Sequence, residues 1–255
     1  MIKIIVESSH DATLIEDAVD NWPVRIVNDV ERLPGDDDVE CLILGSRARN
    51  LARWVGPLGK IKRDWAGVPI IVVTDSEPEV ALQLSGIKVS AVVWFEDLQS
   101  ELGPAIRAAR GVDHILRLAG EIEESTLPPS LRSALAHGLR VATDRPIRRV
   151  RKLASVVGSS PVTLSQQFRE SVGGRTTLAR FLRALVILRG HQLRSSGLGW
   201  DRVAGELRVS RQTLHRQSKE WPGRRLGPLA AMSRGQLLAR FVSDFVRPLL
   251  ADRTD

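Results

Sequence analysis

Short runs of consecutive apolar residues alternate with polar, helix-like segments through the first 110 residues. Because such runs are apolar on both faces, they are typical of parallel strands that helices cover on each side of a sheet. The segments between them have the length and apolar spacing of crossover helices. The pattern predicts an α/β fold with a five-stranded, doubly wound parallel sheet. The predicted strands are 2–6, 24–27, 41–45, 68–73 and 89–95, and the predicted helices are 11–20, 47–62, 77–84 and 97–110.

Beyond Gly111 the strand signals end and the apolar residues take helical spacing. A helix over 112–123 is predicted as a linker, and the prolines of TLPPS at 126–130 separate it from a helix over 131–142. The chain is therefore expected to divide into an α/β domain over 1–110, a linker helix within 111–125, an all-helical domain over 126–226 and a helical extension over 227–255.

A helix-turn-helix pattern begins near Ile147. An apolar stripe includes Ala154, which is small enough for two helices to cross closely. Gly158, four residues later, can take the positive φ of a tight turn, and Leu164, six residues further on, fixes the second helix against the first. The order of a small residue, a glycine and an aliphatic residue at these spacings indicates a helix-turn-helix.

The same arrangement returns fifty residues later in GWDRVAGELRVSRQTLHRQSKEW, where Ala204, Arg208 and Leu214 take the corresponding places. Left-handed backbone costs a residue other than glycine about 1–2 kcal/mol, so the turn at Arg208 is expected to have a different shape. One such match is a weak signal, but two in tandem joined by a long helix are far more specific. The apolar positions that predict this connecting helix are Leu178, Phe181, Leu182, Leu185 and Leu188.

The extension over 227–255 repeats apolar residues at helical spacing, which predicts a helix with a wide apolar face ending near Pro248. Packing of this helix on the body of the protein is favoured over a partner-binding or dimer helix. Its apolar positions are Leu237, Leu238, Phe241, Val242, Phe245, Val246, Leu249 and Leu250.

Positive charge is concentrated in the second half of the chain. Residues 1–110 hold 12 Lys and Arg against 18 Asp and Glu, whereas residues 111–255 hold 25 against 12, a net charge of +13. Clustered basic side chains displace the counterions that condense on nucleic acid, so the second half is expected to meet a polyanion. A basic surface that is merely solvated is the alternative.

Several classes of protein are disfavoured by what the sequence lacks. A single cysteine, Cys41, excludes an internal disulfide framework and a cysteine-based zinc site. No run approaches the roughly 18 apolar residues of a membrane span, and the apolar start of the chain is too short for a signal peptide, so a cytoplasmic protein without membrane contact is expected. No catalytic grouping and no cofactor motif is found. The sequence therefore predicts a protein that is not an enzyme and binds no cofactor. The histidines are scattered over His10, His114, His137, His191 and His215.

Residues 126–226 resemble the DNA-binding domain of the AraC/XylS family of bacterial transcription regulators, on the phrases LASVVGSSPVTLSQQFRESVGG and VAGELRVSRQTLHRQ. The resemblance implies seven helices with two helix-turn-helix units, whose second helices enter successive major-groove segments of double-stranded DNA roughly 34 Å apart. The positions it implies for DNA contact are Val162, Thr163, Ser165, Gln166 and Arg169 in the first unit, and Ser210, Arg211, Gln212, His215, Arg216 and Lys219 in the second.

The side-chain chemistry assigns expected roles to these positions. Val162 could meet a thymine methyl group and Gln166 could pair with adenine, while Gln212 and Arg216 are expected at base edges. Phosphate contacts are expected from Ser210, Arg211 and Lys219. For each residue the alternative is a solvated position on a helix surface.

Flanking residues leave further alternatives open. Gln167 stands where the family usually buries an aliphatic side chain, and its amide is expected to reach a neighbouring backbone group. Trp200 and Trp221 are expected to be core and cap aromatics rather than platforms for base stacking. A basic run before the first unit could clamp phosphates or could be a solvated charge run. It comprises Arg148, Arg149, Arg151 and Lys152.

Residues 1–110 resemble the receiver domain of bacterial response regulators, most closely at VPIIVVTD, which ends a strand with Thr74. The family holds Mg²⁺ on an acidic pair after strand one, phosphorylates an Asp ending strand three and uses a Lys ending strand five. Without the aspartyl nucleophile no acyl phosphate forms, and Glu7, even with Asp11, is a poor Mg²⁺ cage. A pseudo-receiver is therefore expected. The vestigial positions are Glu7 and Ser8, Gly45 (or Ser46), Thr74 and Phe95.

Together these features predict a bacterial transcription regulator that binds double-stranded DNA and catalyses no reaction. RNA polymerase or another regulatory protein is a candidate partner of the protein, and a second copy of the chain is another. Regulation is expected through the N-terminal domain, by a protein partner, a small ligand or dimerisation. The alternative is a protein-interaction module whose helix-turn-helix scaffold does not touch DNA, prompted by the departures at Gln167 and Arg208.

Overall fold

The computed structural model describes residues 1–19, 22–27, 39–84, 89–111 and 114–251. These residues belong to two compact units, Met1–Asp113 and His114–Asp255. Asp20, the last residue of the first predicted helix, and residues 112–113 of the predicted linker helix lie outside the described ranges.

A five-stranded, all-parallel sheet forms the centre of the first unit, in the order β2-β1-β3-β4-β5. The predicted parallel sheet is confirmed. β4 begins two residues later than expected, directly after Pro69, because a proline nitrogen cannot donate a hydrogen bond to the strand ladder. The strands are β1 (Ile2–Val6), β2 (Val24–Val27), β3 (Cys41–Gly45), β4 (Ile70–Thr74) and β5 (Ala91–Trp94).

Helices cover both faces of this sheet, as the two-sided apolar runs require. On one face Ile15 and Ile106 pack with alternate strand residues such as Ile43. On the other face Leu51 and Leu58 pack with the residues between them in the strands. The helices of the first face are α1 (Ser9–Ala18) and α4 (Leu98–Gly111), and those of the second are α2 (Ala48–Asp64) and α3 (Pro78–Leu84).

The described residues of the second unit are helical, without a strand. Its longest helix, α9, packs against the other helices of the unit on several sides and buries Phe181, Leu182, Leu185 and Val186. Within the described ranges, every helix is too short or too polar to cross a lipid bilayer. The helices are α5 (His114–Glu123), α6 (Pro129–Ala142), α7 (Val150–Val156), α8 (Pro161–Ser171), α9 (Leu178–Ser195), α10 (Trp200–Glu206), α11 (Arg211–Glu220), α12 (Leu226–Ala230), α13 (Arg234–Phe241) and α14 (Arg247–Leu250).

Five aromatic rings form a continuous cluster in the core of the second unit. Their neighbouring centroids lie 5.4–6.0 Å apart, in the tilted and edge-to-face arrangements that aromatic pairs prefer. The cluster joins α8 and α9 to α13 and to the segment that follows it, so this extension is part of the core. The rings belong to Phe168, Phe181, Trp221, Phe241 and Phe245.

The extension differs from the predicted helix around Pro248. Between α13 and α14, Val242–Val246 forms a π-helical turn, and helical structure continues through the proline to Leu250. Pro248 is the second residue of α14, which begins directly after the π-helical turn.

Truncation of a ring in the aromatic cluster tests whether the extension stabilises the second unit. Phe241→Ala should lower the free energy of unfolding by about 3–5 kcal/mol, because it removes a buried ring and leaves a cavity. Denaturant unfolding followed by tryptophan fluorescence measures the change. Val156→Ala is the control, since Val156 is 48% exposed and its truncation should cost little. Similar small losses in both variants would contradict the core role of the extension.

Candidate nucleic-acid interface

Two pairs of short helices in the second unit repeat one backbone plan at an offset of fifty residues. The first helix pair is α7 with α8, and the second helix pair is α10 with α11. In the first pair the amide of Ser159 donates to the carbonyl of Ala154 at 3.0 Å, and in the second the amide of Val209 donates to the carbonyl of Ala204 at 2.9 Å. The same hydrogen bond therefore closes both turns.

The residues at the centre of the two turns have nearly the same backbone conformation. Gly158 has a φ of 64° and Arg208 has a φ of 52°. The expectation that the second turn is shaped differently was wrong. The closing hydrogen bond from Val209 fixes the turn at the same geometry although its central residue has a Cβ atom.

Each second helix begins with the same serine cap. The Ser160 hydroxyl accepts a hydrogen bond from the amide of Thr163 at 3.0 Å, and the Ser210 hydroxyl accepts one from the amide of Thr213, also at 3.0 Å. Such caps satisfy backbone N–H groups that have no partner within the helix. The caps fix where α8 and α11 begin, and with that the direction in which their side chains point.

The predicted contact residues lie on the outer faces of α8 and α11. The aliphatic residues that anchor these helices, Leu164 and Leu214, are fully buried, which turns the opposite faces outward. On α8, Val162 is 75% exposed, the largest exposed fraction among the large apolar side chains described. Thr163, Gln166, Arg169, Ser210, Arg211, Gln212, Arg216 and Lys219 are also exposed, and Ser165 and His215 are half-buried.

Several of these side chains already have partners within the chain. Gln166 donates from Nε2 to Glu170 at 2.9 Å, and Arg211 donates from Nη1 to Asp201 at 3.0 Å. The Arg211 pair is exposed on both sides, and exposed ion pairs contribute only about 0.2–1 kcal/mol. Asp201 therefore holds the Arg211 guanidinium only weakly.

Arginine side chains also brace the helix pairs, a role that the local sequence pattern did not indicate. Arg148, in the predicted basic run, donates a hydrogen bond to the carbonyl of Arg208 in the second turn. Arg183 pairs with Glu220 at the end of α11, with 2.5 Å between Nη1 and Oε2. The guanidinium of Arg148 is thus engaged within the protein, and sixty residues separate it from its partner.

The other flanking residues have structural partners as well. The Gln167 amide oxygen accepts a hydrogen bond from the hydroxyl of Ser130 at 3.0 Å, so its partner is a side chain and not the backbone group expected. Trp221 is buried in the core and donates from Nε1 to Asp244 at 2.9 Å. Trp200 is half-buried at the first residue of α10.

The carboxyl end of the sheet in the first unit holds the residues named as vestigial receiver positions. Glu7 follows β1 and accepts hydrogen bonds from Asn50 at 2.8 Å and from the Trp54 indole at 3.0 Å. Ser8 caps α1, with its hydroxyl accepting from the amide of His10 at 3.2 Å. Both residues therefore fasten helices to the sheet.

An arginine that the sequence reasoning did not single out occupies the space beside these residues. Nη2 of Arg47 lies 2.6 Å from Oδ1 of the buried Asp11, and Nη1 lies 2.7 Å from Oδ1 of the half-buried Asp75. The guanidinium carbon of Arg47 lies 3.9 Å from the ring centroid of Phe95. Burial lowers the pKa of Arg47, but its hydrogen bonds to the two carboxylates outweigh burial and raise that pKa above its ordinary value. The guanidinium of Arg47 thus joins the segments that follow β1, β4 and β5.

Two further positions at this edge are closely packed. A Cβ atom added to Gly45 would lie 2.4 Å from Cδ1 of Ile15 and 2.8 Å from Cγ1 of Val6, so these two side chains would have to shift to admit a side chain at the end of β3. Thr74 is fully buried, and no described atom forms a hydrogen bond with its hydroxyl. Among the described residues, no three His, Cys, Asp or Glu side chains form a group that could hold a metal ion.

Replacement of Arg47 tests the importance of its ion pairs. Arg47→Met should lower the free energy of unfolding of the first unit by about 1–3 kcal/mol, because Asp11 would remain buried without its charge partner. Denaturant titration followed by circular dichroism measures the loss. The matched control is Arg49→Met, which removes a guanidinium from an exposed residue in the first turn of α2, two positions after Arg47. Equal stability of the two variants would show that the Arg47 pairs contribute nothing.

Comparison with known proteins gives no match for this chain. No family model, no curated protein and no solved structure is similar to it. The geometry and charge of its own residues are therefore the basis for assigning a function.

Proposed function

We propose that this protein is a transcriptional regulator that binds double-stranded DNA in a sequence-specific manner, and that its two helix pairs are helix-turn-helix units of the AraC/XylS type. The observation that carries this proposal is the repetition of one turn and cap geometry in both pairs, each with an outward second helix. A second helix with a buried anchor and an exposed polar face suits insertion into a major groove.

The distribution of charge supports a nucleic-acid partner. Residues 148–225, which contain both helix pairs, hold 17 basic and 4 acidic residues. Each phosphate that such a surface neutralises releases condensed counterions, and this release provides much of the free energy of DNA binding. The contact residues then divide by chemistry: Gln212 and Arg216 would read base edges, while Arg211 and Lys219 would hold phosphates.

In this proposal the first unit is a regulatory pseudo-receiver. Its sheet order and the helices on both faces support the resemblance in fold. The steric restriction at Gly45 and the Arg47 ion pairs support regulation without phosphorylation of an aspartate. A protein partner, a small ligand or dimerisation would then supply the signal.

Binding of genomic DNA fragments at several salt concentrations tests the proposal. A protein that contacts six to ten phosphates should lose roughly 10³–10⁵ in affinity between about 50 and 200 mM salt. Filter binding or gel shift gives the slope of log affinity against log salt. Absence of binding at low salt, with the protein folded, would overturn the proposal in favour of a protein-interaction module.

Two substitutions on α11 should affect binding in different ways. Arg216→Ala should cost roughly 1–3 kcal/mol at the preferred sequence and relax base preference, because it removes a base-edge contact. Lys219→Ala, its matched control on the same helix, should weaken binding to all sequences alike and lower the salt slope by about 1. Affinities for the preferred fragment and for an unrelated duplex measure both effects. Equal losses on both duplexes for Arg216→Ala would make Arg216 a backbone contact.

A further inference from the structure

Arg208 is the single residue other than glycine with a positive φ in the part of the chain that the structure describes. The other six described positions with this backbone conformation are glycines, and Gly158 takes the equivalent place in the first helix pair. A Cβ atom makes the conformation unfavourable, and strained residues of this kind are concentrated at functional sites. The second turn therefore carries a side chain at a cost in stability that its counterpart avoids.

The packing of the second turn does not depend on the Arg208 side chain. The amide of Arg208 donates to the carbonyl of Gly205 at 2.9 Å, and its own carbonyl accepts from Arg148. Both hydrogen bonds use backbone atoms of residue 208, which a glycine would also provide. The side chain is exposed, and within the described ranges its guanidinium has neither a hydrogen bond nor an ion pair.

Cationic side chains are distributed differently in the two helix pairs. From the turn to the end of the second helix, residues 208–220 carry four cationic side chains, whereas the equivalent residues 158–170 carry one. Three of the four have no cationic counterpart in the first pair. They are Arg208, Arg211 and Arg216, at the positions of Gly158, Pro161 and Gln166, whereas Lys219 stands at the position of Arg169.

We infer that Arg208 binds a backbone phosphate of duplex DNA beside the turn of the second helix pair. This inference rests on the proposed function and adds one contact to it. The Arg208 contact would be independent of sequence, and the base edges would be read by Gln212 and Arg216 of the same pair and by exposed Val162 and Gln166 of the first pair. The phosphate contact offsets the backbone strain at Arg208 only in the complex.

Substitutions that separate charge from backbone conformation test this inference. Arg208→Gly should raise the melting temperature by about 2–6 °C, because it relieves the strain. It should also weaken binding to every duplex roughly five- to tenfold at about 0.1 M salt and lower the salt slope by about 0.9, the value for one phosphate. Arg208→Asn, which tolerates left-handed backbone without a charge, should give the same loss of slope. Arg208→Lys keeps the charge and should keep the slope.

The outcomes distinguish this inference from the proposed function. Gly and Asn variants that bind DNA with the affinity and slope of the original protein would overturn the role of Arg208 and leave DNA binding intact. A loss confined to one preferred duplex would also overturn it, because it would indicate a base contact. If the unaltered protein binds no duplex at low salt, the proposed function itself fails.

Discussion

Both helix pairs pack on one buried helix, and the candidate interface depends on this constraint. α9 contacts α7 and α8 as well as α10 and α11, and its apolar residues lie in the core of the second unit. Because a close-packed helix is stiff, the two pairs keep a fixed relation to each other. Leu164 and Leu214 occupy the inner sides of α8 and α11. The outward direction of the polar residues on these helices is therefore a consequence of core packing.

Local patterns in the sequence were sufficient for most of the architecture. Two-sided apolar runs located the strands, and helical spacing located α9, because burial determines which positions must be apolar. The expected contact positions on α8 and α11 came from the resemblance to the AraC/XylS family, and they lie on the faces opposite Leu164 and Leu214. The shape of the second turn could not be predicted locally. The preference of Arg208 for a negative φ is overridden by backbone hydrogen bonds and by the hydrogen bond from Arg148.

Pairs of distant side chains were beyond sequence reasoning. Arg47 meets Asp11 and Asp75 across 36 and 28 positions of the chain, and Ser130 meets Gln167 across 37. No periodicity records such meetings, because they arise only when strand ends and helices are placed in space. The consequence is largest at the carboxyl edge of the sheet. There the sequence predicted only that Glu7 and Asp11 make a poor Mg²⁺ cage, and it did not indicate that Arg47 pairs with Asp11.

The aromatic cluster also constrains the order in which the protein can be completed during synthesis. Both helix pairs end by Glu220, yet Phe241 and Phe245, which close the core beneath them, follow later in the chain. All strands of the first unit precede these residues, so a growing chain can finish that unit first. The core beneath the helix pairs can be fully packed only after Phe241 and Phe245 have left the ribosome.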